Sequence, residues 1–500
     1  MSRRTWKAVL ALVMIVLIWS DSVITYADTG KEQSPDQFKM IDEYVLQEMK
    51  ASKIPGLALG IVHGDEVIYT KGYGTSNGRK EPVTDQTPFF IGSVGKTFTA
   101  LAIAQLMGDG KLKVTDTVRQ YIPWFTLTDQ SGGFITIKSL LEHTSGFSTA
   151  SGNATYTYNA NYTLEQTVRK INRKEKLNRP VGESYEYSNL NYVVLGLIIE
   201  DVSGLSYEEY ITKYLFAPMQ LEDSHASKVA AMKDGLAQGY RELYGMDVPV
   251  DYDYPIGQVP AGYQLSSARD MSKYLIYFLN NGYSGGNSIL PNNQLLQPED
   301  PLKDFESSAS YYGLDWSVTT YPAYNEYNRF YGFLGSTANF NSALLISQVH
   351  RYGIIVLVNQ HGISRKPELS AQVIGNGISD ILLHNTMPTS IPRSFDKKQL
   401  LWPGLAILLC ILSIYSCLRF HSKLGGAKQR IAMIMLLLWN IVIPIGFLIG
   451  VPLYYDNSWR FLLNVGPESF LPEFVLSLVL LICGVIKLYL IVIERYKSHK

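Results

Sequence analysis

The sequence predicts an α/β fold with a helical insertion, followed by three membrane-spanning helices. Three observations carry this reading. β-rich runs stand at both ends of a long middle section, helical patterns fill the stretch between them, and three apolar stretches of span length close the chain. Gly56–Thr70 (GLALGIVHGDEVIYT) alternates around the turn signal His63-Gly64-Asp65, as a hairpin does. Ser342–Asn359 (SALLISQVHRYGIIVLVN) reads as a second pair of strands. Helices are expected at Phe98–Met107, Tyr192–Val202 and Ala268–Leu279, the last opened by Ser267-x-x-Asp270 as a capping box. Strands at both ends with helices between predict a sheet assembled from both ends of the middle section.

The 500 residues balance 44 Lys+Arg against 44 Asp+Glu, with 46% hydrophobic and 18% charged residues. A zero formal charge without a basic stripe argues against nucleic acid as a partner, because phosphate binding needs a basic surface. The apolar residues concentrate at the ends. Arg3, Arg4 and Lys7 precede the apolar run Ala8–Trp19, and Thr25-Tyr26-Ala27 follows, which reads as a signal peptide over residues 1–27. Near the C-terminus, apolar stretches at about 400–418, 431–453 and 470–492 each have the length of a bilayer span. Arg419, Lys423, Lys428 and Arg430 lie between the first two, and Arg495, Lys497 and Lys500 follow the third, so both segments are expected in the cytoplasm. Residues 28–396 are then expected outside, and 397–500 form a membrane domain of a multi-pass cell-membrane protein. Lys487, late in the third span, can snorkel to the inner interface.

The three cysteines, Cys410, Cys417 and Cys483, all fall in predicted spans, so the exported section is expected to carry neither a disulfide nor a Cys-ligated metal. The eight histidines form no His-Glu-x-x-His pair, and no cofactor is expected.

The chemistry centres on Ile91-Gly92-Ser93-Val94-Gly95-Lys96 at the start of a helical pattern. Ser and Lys three apart lie on one helix face, so the Lys96 nitrogen reaches the Ser93 hydroxyl. A serine needs such help to act as a nucleophile. The spacing alone is weak evidence, since Ser394-x-x-Lys397 repeats it just before a span. A phosphate loop is rejected, because Phe90 stands where that pattern needs Gly. Tyr187 and Asn189 precede an apolar helix; Tyr187 with Lys96 would make a coupled base for Ser93, and the Asn189 amide would hold a substrate amide, unless the two residues merely form a turn.

These residues resemble the penicillin-recognising serine hydrolases: class C β-lactamases, low-molecular-weight penicillin-binding proteins, D-aminopeptidases and related esterases. The resemblance covers roughly Gln37–Gly362 and rests on Ser93-x-x-Lys96, LEHTSG at Leu141–Gly146, Tyr187-Ser188-Asn189, PAGYQLSSARDM at Pro260–Met271 and YGLDW at Tyr312–Trp316, in family order. It implies a serine β-lactamase-like antiparallel sheet sandwich with an all-helical subdomain and the site between them. It also implies catalytic roles for Ser93, Lys96 and Tyr187, with an oxyanion hole formed by the Ser93 and Ser336 N–H groups. The family's third motif, Lys-Thr-Gly or His-x-Gly, aligns with Phe333-Leu334-Gly335, so Phe333 removes the side chain that would meet a substrate carboxylate. Acyl transfer is therefore implied more firmly than β-lactam turnover. With a signal peptide and three C-terminal spans, the architecture is similar to the prodrug-activating peptidases of nonribosomal peptide pathways, of the colibactin and zwittermicin maturation type.

The sequence thus predicts a membrane-anchored extracytoplasmic serine hydrolase acting through a Ser93 acyl-enzyme on an amide of a peptide or small molecule, with recognition of a D-amino acid. An esterase of the same family and a slow-turnover penicillin-binding sensor are the alternatives. A transporter or other membrane partner docking on the C-terminal helices is the further partner that three spans invite. His143 is read as a structural histidine away from the nucleophile.

Overall fold

The computed structural model describes residues 35–498 apart from 79–80, 130, 156–157, 281–282, 285–286, 289–311, 314–315, 320–329, 363–369, 390–399, 419–434, 437 and 456–458. The expected signal peptide, the second Ser-x-x-Lys and the basic loop after the first span lie outside the described residues.

A seven-stranded antiparallel sheet organises the middle section. Its strands are β1 (Gly56–His63), β2 (Glu66–Gly74), β3 (Tyr312–Gly313), β4 (Trp316–Thr319), β5 (Phe330–Ser336), β6 (Asn341–Ser347) and β7 (Tyr352–Val358), in the spatial order β2-β1-β7-β6-β5-β4-β3. The predicted hairpin is β1–β2, and Ser342–Asn359 supplies most of β6 and β7. β1 pairs with β7 from Leu57↔Val358 to His63↔Tyr352, which joins the two ends of the section as the sequence predicts. β1 and β7 are buried almost throughout, because helices cover both faces and leave no solvated side to select polar alternation.

One face is covered by α1 (Pro35–Ser52) and α6 (Ser370–His384), which close a core around Ile41, Val45, Leu59, Val356 and Ile378. Against the other face lies α5 (Ala268–Leu279), and α2 (Lys96–Gly108), α3 (Leu164–Lys174) and α4 (Asn189–Ser203) stand with it in a larger core that includes Phe98, Val193, Leu275 and Phe340. α5 starts where predicted, with Ser267 Oγ accepting the Asp270 N–H at 3.1 Å. The reciprocal half of the expected capping box is replaced. The Asp270 carboxylate turns to Asp223 N at 2.6 Å and Ser224 Oγ at 2.9 Å, spending its acceptors on a neighbouring loop.

Of the three spans expected at the C-terminus, the described residues show two at full length, and part of the second (431–453) lies outside them. Among the described residues two helices are long and apolar enough to cross a membrane, α7 (Leu401–Leu418) and the Pro467–Ile493 part of α9 (Pro467–Ser498). Between them, Leu438–Tyr454 is a shorter apolar helix, a π-turn at Leu438–Val442 leading into α8 (Ile443–Tyr454). Pro444 stands just inside α8 and donates no N–H, so the regular α pattern is interrupted there. α7 and α8 both pack on α9. Lys487 does not snorkel outward. It is 5% exposed, and its Nζ donates to Ser416 Oγ of α7 at 3.0 Å, a bond that substitutes for water inside the bundle.

Candidate active site

The segment before α2 is held from three sides. Phe89–Phe90 pairs with Leu265–Ser266, Ile91 N donates to Gln264 O at 3.1 Å, and Ser342 Oγ of β6 donates to Ile91 O at 2.7 Å. Gly92 then takes φ +56°, a left-handed conformation that favours glycine, and the chain enters the short 3₁₀ turn Gly92–Gly95. This elbow leaves Ser93 partly exposed on a rigid support.

The edge of β5 meets the elbow closely enough to exclude side chains. A Cβ on Gly92 would lie 2.3 Å from Ser336 N, and one on Gly335 would lie 1.9 Å from Ile91 O. Both glycines are therefore required by the approach itself, which brings the backbone of Ser336 beside that of the nucleophile. Phe333 does not stand among the polar groups of this site. It is 4% exposed and belongs to the core between sheet and helices.

Ser93, Lys96 and Tyr187 converge. Lys96 Nζ donates to Ser93 Oγ at 2.9 Å, and Ser93 Oγ and Tyr187 OH lie 2.8 Å apart. Lys96 is fully buried; its Nζ also donates to the Ala261 carbonyl and sits 5.0 Å from the Tyr187 ring centroid. Because the lysine donates to the serine oxygen, the serine proton is free to point at the phenol. Asn189, at the first turn of α4, is buried, with its Oδ1 3.4 Å from Tyr187 OH.

Sequence reasoning gave no role to several groups that build this site. The carbonyl of Ala261 and the side chain of Gln264, which donates to Gly95 O at 2.9 Å, clamp the start of α2 from the PAGYQLSS segment. A pocket of about 200 Å³ is lined by Phe90, Tyr263, Phe340, Thr337 and Asn339 together with Lys228 and the exposed Asp251, which pair at 2.5 Å.

His361 is a further group the sequence did not signal. Its Nε2 lies 3.1 Å from Ser336 Oγ, and close packing, with the Arg241 guanidinium adding to it, pushes its pKa down to about 4. Between pH 6.5 and 4 the unfolded chain binds a proton here that the native state refuses, so stability falls as pH drops through that window. The expected result is that His361→Gln loses less stability on acidification than the wild type, by roughly 2–3 kcal/mol at pH 4. Parallel denaturation curves with equal pH slopes would contradict it.

A family model described as Beta-lactamase matches residues 41–374. The chain belongs to the β-lactamase family. It is thus a penicillin-recognising serine hydrolase family member, and the fold described above is that family's sheet with helices on both faces. Protein flp of Staphylococcus aureus (strain MW2) is 27% identical over 466 residues, covering 91% of this chain and 91% of that protein. That coverage runs past the β-lactamase region into the C-terminal helices. A protein of Bacillus subtilis (strain 168) named "Putative penicillin-binding protein PbpX" is 32% identical over 248 residues, 49% of this chain and 60% of that protein. Among solved structures, the octameric penicillin-binding protein homologue from Pyrococcus abyssi aligns with a TM-score of 0.59 at 28% identity, over 69% of this chain and 77% of that one. A class C β-lactamase shares the fold, with a TM-score of 0.59 at 21% identity over 71% of this chain and 99% of that chain.

Proposed function

We propose that this β-lactamase family member is a membrane-anchored extracytoplasmic serine hydrolase that forms an acyl-enzyme at Ser93 and cleaves an amide next to a D-amino acid in a peptide. The observation that carries the reading is the convergence of Ser93 Oγ with Lys96 Nζ at 2.9 Å and Tyr187 OH at 2.8 Å. Ser93 Oγ bonds to the carbonyl carbon while its proton passes to Tyr187, coupled to Lys96. The C–N bond then breaks and Tyr187 returns the proton to the leaving amine. Water repeats the sequence on the ester, releasing the acid and restoring the serine. The Ser93 and Ser336 N–H groups hold the oxyanion, and Asn189 orients the substrate amide.

No metal or cofactor is needed for these steps. Anchoring is supported by α7 and α9 and by the large apolar side chains they expose, among them Ile407, Ile411, Ile482 and Val485, which suit lipid and not water. The shorter Leu438–Tyr454 helix would complete a three-helix membrane domain, with the catalytic section outside and the C-terminus in the cytoplasm.

The test is a panel of acyl-D-amino-acid amides, their L counterparts and short esters, offered to detergent-solubilised protein beside Ser93→Ala, with intact-mass detection of the acyl-enzyme. Ser93-dependent turnover that prefers D-amides is the expected result. Turnover of esters alone would replace the peptidase reading by an esterase, and a persistent adduct without turnover would replace it by a penicillin-binding sensor.

A further inference from the structure

We propose that His143 is a positioning residue that clamps Tyr187 from three directions and so sets the rate of Ser93 acylation; the inference rests on the hydrolase reading above. The two backbone amides that flank Tyr187 both end on this one residue. Glu186 N donates to the His143 carbonyl at 2.9 Å, and Ser188 N donates to His143 Nδ1 at 3.1 Å. Between them, the imidazole lies against the Tyr187 ring, with centroids 4.6 Å apart and planes 32° apart. The other side of the clamp packs on Tyr192, whose ring is 5.4 Å away.

A second line of bonds fixes the clamp. Asn191 Nδ2 lies 2.7 Å from His143 Nδ1, and Ser145 Oγ donates to Asn191 Oδ1 at 2.5 Å. His143, Ser145, Ser188 and Asn191 are each at most 1% exposed. Nδ1 therefore receives two N–H donors in a buried site, which makes it an acceptor and leaves the ring proton on Nε2. The amide of Asn191 is oriented by the same logic, since its oxygen takes the Ser145 proton. His143 itself adopts φ +55°, a conformation that carries strain for a residue with a side chain and persists where the surroundings over-determine it. That turn presents the carbonyl and the ring of one residue to the same segment. Its consequence is that the phenol 2.8 Å from Ser93 Oγ is held through its own backbone and not only through its contacts in the site.

The experiment compares acylation of Ser93 by a fluorescent penicillin or fluorophosphonate in the wild type, His143→Leu, His143→Asn and Asn191→Asp, with the thermal unfolding midpoint of each. His143→Leu keeps bulk but offers no acceptor. It is expected to lower the maximal acylation rate about 10- to 100-fold, as a small displacement of a catalytic group does, while the half-saturating probe concentration changes less than twofold. The pH profile of acylation should shift as well, since the Tyr187–Lys96 pair is displaced. His143→Asn restores an oxygen acceptor near the position of Nδ1 and should recover part of the rate. Asn191→Asp is nearly isosteric and folds where a larger change does not. It places an acceptor against Nδ1, so that nitrogen must take the proton and Ser188 N loses its partner; a slowed acylation at an unchanged unfolding midpoint supports the clamp. Wild-type rates in Asn191→Asp and in folded His143→Leu would overturn it, as would rates that fall only with the folded fraction. A wild type that neither probe labels at Ser93, judged against Ser93→Ala, overturns the hydrolase reading and the clamp with it, whereas normal labelling of the variants overturns the clamp alone.

Discussion

Replacing Ser93 by alanine should reduce turnover of any amide or ester substrate by about 10⁶-fold, the loss seen when a serine nucleophile is removed from a comparable hydrolase. The reason is in the convergence of bonds on one oxygen. Lys96 Nζ at 2.9 Å and Tyr187 OH at 2.8 Å both address Ser93 Oγ, so its removal leaves the proton-transfer groups without a nucleophile to serve. Binding groups and oxyanion donors survive, and a residual rate above that in water should remain. Ser93 is partly exposed and its hydroxyl is not part of the core, so the unfolding midpoint should hardly move. Steady-state turnover and intact-mass labelling measured on the same preparation check this. Full turnover in Ser93→Ala would place the chemistry elsewhere in the molecule.

The second large effect is expected from a methyl group. Gly335→Ala puts a Cβ 1.9 Å from Ile91 O and 2.3 Å from Ser342 Oγ, distances no carbon occupies. Ile91 O already accepts from Ser342 Oγ at 2.7 Å, so the methyl would displace the bond that holds the elbow to the sheet. β5 must move away from Ser93, and Ser336 N moves with it. Loss of one oxyanion donor corresponds to about 10²- to 10³-fold in kcat. The overpacking should also cost roughly 1–3 kcal/mol of stability. The kinetic and stability losses are read separately, by active-site titration of the folded fraction and by denaturant unfolding. A Gly335→Ala protein that keeps its kcat per labelled site would show that the approach of β5 does not supply the second donor.

Much of the fold was written in short-range pattern. The turn signal His63-Gly64-Asp65 between two β-rich runs located β1 and β2, and Ser267 marked the start of α5, because turns and helix caps are decided by neighbours two to four positions away. Ser93 and Lys96 were legible for the same reason, being one helical turn apart. The exchange of the Asp270 carboxylate from a capping role to Asp223 and Ser224 was not legible, since the competing donors come from a loop some 46 residues away. The interruption near Pro444 also escaped a hydropathy reading, which averages apolarity and ignores a missing N–H.

By itself, then, the sequence determined the elements, the serine–lysine pair and the apolar helices of the C-terminal region, all of which follow from local spacing and composition. Only the tertiary structure decided how Tyr187, 94 residues from Ser93, meets it, why Gly335 and Gly92 must lack side chains, and that His143, Ala261 and His361 surround the site. Lys487 likewise turned inward to Ser416 once α7 and α9 were packed. These juxtapositions depend on which faces bury together, and burial is a property of the whole assembled core and not of any one segment.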